Sequence, residues 1–238
     1  MKKIIFFDTE TTGIDEGDYL CQLAYKTGED AFMGLYKPPI PIPPGASAVH
    51  HISNDMVSDK PGFQESDDYK TIKEIFENEE SVIVAHNMTF DLDMIKKEGI
   101  MPKNTICTLR VARFLDRDGK LEKHNLQFLR YALGIEIEAT AHDAMGDVLV
   151  MEQLYHRLIK KIMSEDNMND EQAVEKMIEI SSKPSLFRTI SFGKHAGKKI
   201  EEILSIDKNY LEWLLGQKEM KPQGEEDWIY TLKHYLGK

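Results

Sequence analysis

Two carboxylates lie close together near the start of the chain, directly after a short apolar run. Residues 4–7 are all apolar, in a run too short for a helix, and they predict a buried strand. Because side chains alternate along a strand, Asp8 and Glu10 project from one face, roughly 7 Å apart along the backbone. Like charges on one face repel each other, and Mg²⁺ or Mn²⁺ with oxygen ligands would relieve that repulsion. The alternative, from this segment alone, is a polar strand end with both carboxylates solvated.

Two later segments supply further acidic and imidazole groups. A second apolar strand leads to Asn87, which is predicted to cap a helix whose first turn contains Asp91. A third segment places His142 and Asp147 at the start of a long amphipathic helix. Two residues five apart within one helix are separated by about 140°. These two therefore share a site only if His142 lies in the loop before the helix and Asp147 lies within its first two turns. Asp143 is then predicted to be the N-cap.

Five of these groups together resemble the site of the DEDDh 3′–5′ exonucleases, the family of the proofreading epsilon subunit of DNA polymerase III. The five are Asp8, Glu10, Asp91, His142 and Asp147. A fourth segment, residues 48–52, is similar to the family's Ala-Val-His-Gly-Ile sequence, with His51 where glycine is usual. Each of the three motifs that contain these five residues is a weak pattern by itself. All three in this order along one chain are a specific pattern. The three motifs are Asp8-Thr9-Glu10-Thr11-Thr12-Gly13, His86-Asn87-x-x-Phe90-Asp91 and His142-Asp143-Ala144-x-x-Asp147.

The resemblance implies a metal-dependent exonuclease that removes nucleoside 5′-monophosphates from DNA 3′ ends. It implies two Mg²⁺ or Mn²⁺ ions per site, held by Asp8, Glu10, Asp91 and Asp147. It also implies that His142 is the general base, a role that an imidazole with an ordinary pKa near 6.5 suits at neutral pH. The residues expected by the same resemblance to line the pocket for the terminal nucleotide are Thr11, Thr12, His50, Asn87 and Phe90.

The chain is expected to contain a catalytic domain over residues 1–163, an acidic helix and linker over 164–185, and a small domain over 186–238. Alternating strands and helices in the first domain predict an α/β fold with a mixed sheet flanked by helices. The resemblance implies the ribonuclease H-like form of that fold, followed by a small C-terminal α+β domain. Predicted strands cover residues 3–8, 20–27, 31–36, 82–85 and 105–107, and predicted helices cover 71–78, 89–98, 126–133, 143–163 and 172–180.

The C-terminal segment differs in charge from the rest of the chain. Residues 183–238 contain ten Lys and Arg against eight Asp and Glu, a net charge of +2 in a chain whose total is −11. The sequence Phe-Gly-Lys-x-x-Gly-Lys at 192–198 resembles the small domain that follows the catalytic domain in exodeoxyribonuclease X-like proteins. Lys194, Lys198 and Lys199 are predicted to contact DNA phosphates. The alternative is a basic turn on a mini-domain whose core is Phe192, Ile200, Ile203, Leu211, Trp213 and Leu214.

Composition predicts a cytoplasmic enzyme without membrane contact. No apolar run approaches the ~18 residues that a membrane span needs, and Cys21 and Cys107 are predicted to be buried, reduced thiols. The net charge of −11 opposes nucleic-acid binding over a wide surface, so contact with a few nucleotides is expected. Two other functions stay open: an exoribonuclease that acts on RNA, and a non-catalytic accessory subunit of the replication machinery. Replication or repair proteins stay open as partners.

Overall fold

The computed structural model describes residues 2–137 and 144–238. Five strands form one mixed sheet in the order β3-β2-β1-β4-β5. β2 is antiparallel to both β1 and β3, whereas β1, β4 and β5 are parallel to one another. This confirms the predicted α/β class and mixed sheet. The strands are β1 (Lys3–Thr11), β2 (Leu20–Thr27), β3 (Asp30–Leu35), β4 (Ser81–Ala85) and β5 (Asn104–Cys107).

Helices flank the sheet and form most of the C-terminal segment. No helix within the described ranges is long and apolar enough to cross a membrane. Short 3-10 turns cover Phe63–Glu65 and Gly193–His195. The helices are α1 (Pro44–His50), α2 (Asn54–Val57), α3 (Asp68–Glu77), α4 (Thr89–Lys97), α5 (Thr108–Leu115), α6 (Leu126–Ala132), α7 (Ala144–Asp166), α8 (Asp170–Ser181), α9 (Ile200–Ile206), α10 (Lys208–Met220) and α11 (Glu226–Leu236).

The central strand β1 is covered on both faces, which explains its continuous apolar run. Phe6 packs edge-on against Tyr155 of α7, with ring centroids 5.2 Å apart. On the opposite face Phe7 packs edge-on against Phe76 of α3, with centroids 5.3 Å apart. Such a strand needs apolar residues on both sides until it leaves the core. The change to polar residues at Asp8 therefore marks the point where β1 reaches the edge of that core.

The segment predicted as an acidic helix and linker contains the end of one helix and the whole of the next. α7 continues to Asp166, and the N-terminus of α8 has a capping box formed by Asn169 and Gln172. The apolar face of α8 is buried in the same core as the sheet. The backbone N–H of Cys107 donates a 2.8 Å hydrogen bond to the Ser181 hydroxyl, at the end of α8. We propose that this domain extends to Ser181 rather than ending at residue 163.

The C-terminal segment is a small helical unit around its own core. Its β structure, among the described residues, is one antiparallel bridge between Thr189 and Lys199. Two of the predicted core residues are wrong, because Trp213 is 56% exposed and Phe192 is 36% exposed. Trp213 lies on the outer face of α10, whose inner face carries the leucines. The buried core consists of Ile190, Ile200, Ile203, Leu211, Leu214, Leu215 and Leu232.

A partly buried junction ties this unit to the sheet domain. Asp227 of α11 accepts a 2.7 Å hydrogen bond from the Arg113 guanidinium of α5 and another, also 2.7 Å, from the Ser185 backbone N–H. The same guanidinium lies 4.8 Å from the centre of the Phe187 ring. The short segment after α8 is therefore held at both ends by defined contacts.

Candidate active site

The structure brings three of the predicted carboxylates together where β1 ends. One oxygen from each of Asp8, Glu10 and Asp147 lies within 4.8 Å of the other two. Asp8 and Glu10 are partly buried and share one strand face, whereas Thr9 and Thr11 are buried on the other. Asp147 reaches them from the first turn of α7. Three carboxylates at this separation destabilise one another electrostatically unless a cation lies among them.

Two local features lie where these carboxylates meet. The pairing of β1 with β2 shifts register between Glu10 and Thr11, where β2 has one extra residue, Cys21, and a bulge of this kind increases the local twist of the strand pair. Opposite Glu10 on β2 is the buried Gln22. The Gln22 side-chain oxygen accepts a 3.4 Å hydrogen bond from the backbone N–H of Ala144, the first residue of α7. The strand that pairs with Glu10 thus also helps to place the helix that carries Asp147.

Asp91 lies beside the three carboxylates rather than among them. β4 pairs with β1 as far as Phe6. Beyond that point the Asp91 carboxylate accepts hydrogen bonds from the Thr9 backbone N–H at 3.1 Å and from the Thr9 hydroxyl at 2.6 Å. Burial raises the pKa of Asp91 to about 7, while the bonds from Thr9 act in the opposite direction. A cation nearby would favour the charged form of this carboxylate.

The predicted base His142 and the predicted N-cap Asp143 lie outside the described residues. α7 begins at Ala144, directly after the predicted cap. Asp147 is in the first turn of that helix, as the five-residue spacing requires if it is to share a site with His142.

The two threonines predicted to line the nucleotide pocket use their hydroxyls within the protein. The Thr11 hydroxyl donates to the Gly13 carbonyl at 2.6 Å, and the Thr12 hydroxyl donates to Asp18 at 2.7 Å. The Asp18 carboxylate also accepts from the backbone N–H of Asp15 at 2.8 Å. A Cβ atom at Gly13 would come within 2.4 Å of that carboxylate, so the loop requires glycine there. Sequence reasoning missed this anchoring role of Asp18.

His50 is buried and has both ring nitrogens occupied by backbone groups. Its Nδ1 accepts a 3.1 Å hydrogen bond from the Ile52 N–H, which leaves the proton on Nε2, 3.2 Å from the Thr11 carbonyl. Burial lowers the pKa of His50, so the ring is neutral. The next residue, His51, has φ of 62°. This left-handed conformation favours glycine, which explains why the related segment carries glycine at that position.

The predicted N-cap role of Asn87 is wrong. Asn87 has φ of 60°, and the residue before α4 is Met88, which makes no side-chain cap. Asn is among the few residue types that adopt this left-handed conformation readily. The Asn87 carbonyl instead accepts a 3.2 Å hydrogen bond from the Phe90 backbone N–H. The turn at Asn87 directs the chain from β4 into the helix that carries Asp91.

His86, the first residue of the second motif, is a structural residue. One ring nitrogen, Nδ1, lies 2.9 Å from the Thr108 hydroxyl, and the other, Nε2, lies 2.9 Å from the His124 carbonyl. Burial is the main cause that lowers the pKa of His86 to about 4. The ring therefore stays neutral and links the end of β4 to α5 and to the chain before α6.

This buried histidine predicts a pH dependence of stability. The pKa of His86 is about 4 in the folded protein and near 6.5 in an unfolded chain. The unfolded state therefore binds the extra proton between these pH values, and stability falls as the pH falls. We expect this group to contribute about 1.4 kcal/mol of lost stability per pH unit in that window. The free energy of unfolding can be measured with urea at several pH values from 7 to 4. It should depend less steeply on pH for His86→Gln than for the exposed control His234→Gln. Equal slopes would contradict the assignment.

Gln127 is a site neighbour that the sequence motifs do not include. It is the second residue of α6, and its side-chain amide donates a 2.6 Å hydrogen bond to Oδ1 of Asp147. The two residues are 20 positions apart. Their contact depends on how α6 and α7 pack, which no local pattern reveals.

Comparisons with known proteins agree with this site and fold. The family model described as Exonuclease matches residues 5–155, and the model described as Exodeoxyribonuclease X-like C-terminal matches residues 190–219. Exodeoxyribonuclease 10 of Escherichia coli (strain K12) is 31% identical over 236 residues, covering 96% of each chain. The DNA polymerase III subunit epsilon of Treponema pallidum is 31% identical over 64% of this chain and 74% of its own.

Solved structures show the same likeness. Exonuclease X in complex with 5′ overhanging duplex DNA superposes with a TM-score of 0.58 and 26% identity, covering 75% of this chain and 99% of that one. E. coli exonuclease I in complex with a dT13 oligonucleotide has a TM-score of 0.56 at 20% identity, which shows a shared fold. The fold and the family matches are thus those of a nuclease of the DEDDh class. The chain belongs to the exonuclease family, and it is a 3′–5′ exonuclease.

Proposed function

We propose that this enzyme hydrolyses DNA from the 3′ end and releases nucleoside 5′-monophosphates. The observation that carries the proposal is the cluster of Asp8, Glu10 and Asp147 at the end of β1, with Asp91 beside it. The match to Exodeoxyribonuclease 10 over 96% of both chains supports DNA as the substrate. The likeness to exonuclease X bound to duplex DNA supports it further.

The residues present fit divalent metal ions. Three carboxylate oxygens within 4.8 Å of one another form a hard-oxygen, negatively charged set, which is what Mg²⁺ and Mn²⁺ prefer. Asp8, Glu10 and Asp147 would hold one ion, and Asp8 and Asp91 would hold the second. When bound, such a pair of ions lowers the pKa of the attacking water and stabilises the leaving 3′ oxygen.

The chain's own residues then have three tasks. His142 takes the proton of the attacking water, a role that rests on the family motif and on its place two residues before α7. Thr9 fixes the Asp91 carboxylate with two hydrogen bonds. Gln22, which pairs with Glu10 on β2, accepts a hydrogen bond from the first residue of α7 and so helps to place Asp147.

We further propose that Thr11, Thr12, His50, Asn87 and Phe90 line the pocket for the terminal nucleotide. The polar atoms of the two threonines and His50 already bind protein groups. These three residues therefore shape the pocket by fixing the backbone around it. Asn87, in its left-handed turn, and the partly exposed Phe90 complete the wall next to Asp91.

The test is digestion of matched 5′-labelled DNA and RNA oligonucleotides, single- and double-stranded, with Mg²⁺, Mn²⁺ or EDTA. We expect a ladder of shortened DNA with either metal and none with EDTA. Faster digestion of RNA than of DNA would favour the exoribonuclease alternative. Binding without digestion under every metal condition would favour the non-catalytic accessory role. Undiminished activity in EDTA, or cleavage of a closed circle, would overturn the proposal.

The C-terminal unit is proposed to contact the DNA backbone through its basic turn. Lys194 lies 2.6 Å from the Asp207 carboxylate, so part of its charge is neutralised within the unit. Lys198 and Lys199 are exposed on the same turn. They are therefore the stronger candidates for phosphate contacts, and Lys194 the weaker one.

Reversing the two exposed charges tests this contact. We expect Lys198→Glu/Lys199→Glu to weaken binding to long DNA and to flatten the slope of log K against log salt by about 0.7–0.9 per lost contact. Activity on short oligonucleotides should be unchanged. The control is Lys3→Glu/Lys103→Glu. These two exposed lysines lie at the start of β1 and just before β5, at the ends of the strands away from the carboxylate cluster. If the first variant and the control have the same salt slope, the basic turn does not contact the backbone.

A further inference from the structure

The first turn of α6 places an amide donor against a carboxylate of the cluster. The Gln127 side-chain nitrogen lies 2.6 Å from Oδ1 of Asp147, within the range of a strong hydrogen bond to a charged acceptor. Asp147 is one of the three carboxylates whose oxygens approach within 4.8 Å. Gln127 therefore holds one oxygen of the cluster by a direct hydrogen bond.

The helix turn that carries Gln127 is itself held firmly. The Asn125 side chain accepts a 2.8 Å hydrogen bond from the Phe128 N–H, which caps the N-terminus of α6. Leu129 on the inner side of the helix is buried in the core of the sheet domain. Just before the helix, the His124 carbonyl lies 2.9 Å from the His86 ring, and the His124 ring lies 3.2 Å from Asp116.

These contacts connect α6 to the ends of β4 and α5, the elements next to the second motif. Because the helix turn is fixed at its cap, at its core face and at the preceding residue, the backbone of Gln127 presents its amide to Asp147 from a defined position. The hydrogen bond therefore restrains the Asp147 carboxylate oxygen.

We propose that Gln127 is a positioning residue that holds Asp147 in the orientation needed to bind metal. The inference rests on the proposed metal-dependent function and adds to it a residue outside the family motifs. A carboxylate that is fixed before the ion arrives loses less conformational freedom on binding. Partners that orient metal ligands in this way typically change metal affinity or activity by 10–100-fold when they are removed.

The experiment measures Mn²⁺ binding to the full chain by calorimetry, for the wild type and for Gln127→Met. Methionine keeps the length and helix preference of glutamine but removes the donor. We expect the dissociation constant for Mn²⁺ to rise 10–100-fold, while the melting temperature of the metal-free protein stays unchanged. Turnover should return towards the wild-type value as the Mn²⁺ concentration is raised.

A second variant and a control separate positioning from folding. Gln127→Asn keeps the amide but shortens its reach by one methylene group, so it should also weaken Mn²⁺ binding. Gln217→Met makes the same exchange at an exposed position on α10 and should bind Mn²⁺ like the wild type. Mn²⁺ affinities within twofold of the wild type in both Gln127 variants would overturn the inference. Failure of the wild type to bind Mn²⁺ would instead overturn the proposed function.

Discussion

Asp8→Ala is expected to abolish both metal binding and turnover while leaving the protein folded. Asp8 belongs to the three-carboxylate cluster and is proposed to touch both ions. A catalytic metal contributes several kcal/mol to the transition state, so we expect the rate to fall by about 10³–10⁵-fold. Metal-free Asp8→Ala should still fold, because Asp8 is only partly buried at the end of β1, outside the apolar core. Activity assays and thermal melts with and without Mn²⁺ measure both effects.

The melts distinguish a lost ligand from a damaged fold. A ligand at 100 times its dissociation constant stabilises the folded state by about 2.7 kcal/mol, so wild-type protein should melt at a higher temperature when Mn²⁺ is added. Asp8→Ala should lose this shift. The control Asp93→Ala removes an exposed carboxylate from α4, two residues beyond Asp91, and should keep both the shift and the activity. If Asp8→Ala keeps the Mn²⁺-induced shift, the cluster is not the metal site.

The parts of the site that could be predicted from the sequence depend on short-range geometry. Asp8 and Glu10 share a face because a strand has a period of two residues, and the apolar run before them identifies the strand. If Asp147 is to share a site with His142, their spacing requires it within the first two turns of the long helix, and it lies in the first turn of α7. The sheet and its helices follow in the same way from alternating patterns. Each of these inferences needs only residues that are close together in the chain.

The parts that could not be predicted depend on contacts between distant segments or on backbone conformation. Gln127 meets Asp147 only through the packing of two helices. Asp18 becomes an anchor because the loop at Gly13 folds back on it. Asn87 is a frequent N-cap residue, yet its φ of 60° excludes that role here. In each case the residue type permits several structures, and the tertiary fold selects one.

The assignment of residues 164–185 depends on tertiary contacts in the same way. They are predicted as an acidic helix and linker outside the catalytic domain, and α8 within them carries the buried residues Ala173, Val174 and Met177. Their burial against the sheet domain outweighs the polar character of the run before them. The outward position of Trp213 has a related cause. Leu211, Leu214 and Leu215 already fill the inner face of α10, which leaves Trp213 on the outside.

His142→Ala is expected to reduce turnover by about 10²–10⁴-fold, the usual contribution of a general base, and to leave Mn²⁺ affinity close to that of the wild type. The two results together separate a base from a ligand, since loss of a ligand such as Asp8 would remove metal binding as well. The acid limb of the pH–rate profile, near the ordinary histidine pKa of about 6.5, should disappear in the variant.

The matched control is His156→Ala, which removes an exposed histidine from α7 and should leave rate, affinity and pH profile unchanged. Added imidazole should restore part of the activity of His142→Ala and none to Asp8→Ala, because a free base can replace a missing proton acceptor but not a missing ligand. Near-normal turnover by His142→Ala would mean that another group takes the proton from the attacking water. Loss of Mn²⁺ binding in the same variant would instead make His142 part of the metal site.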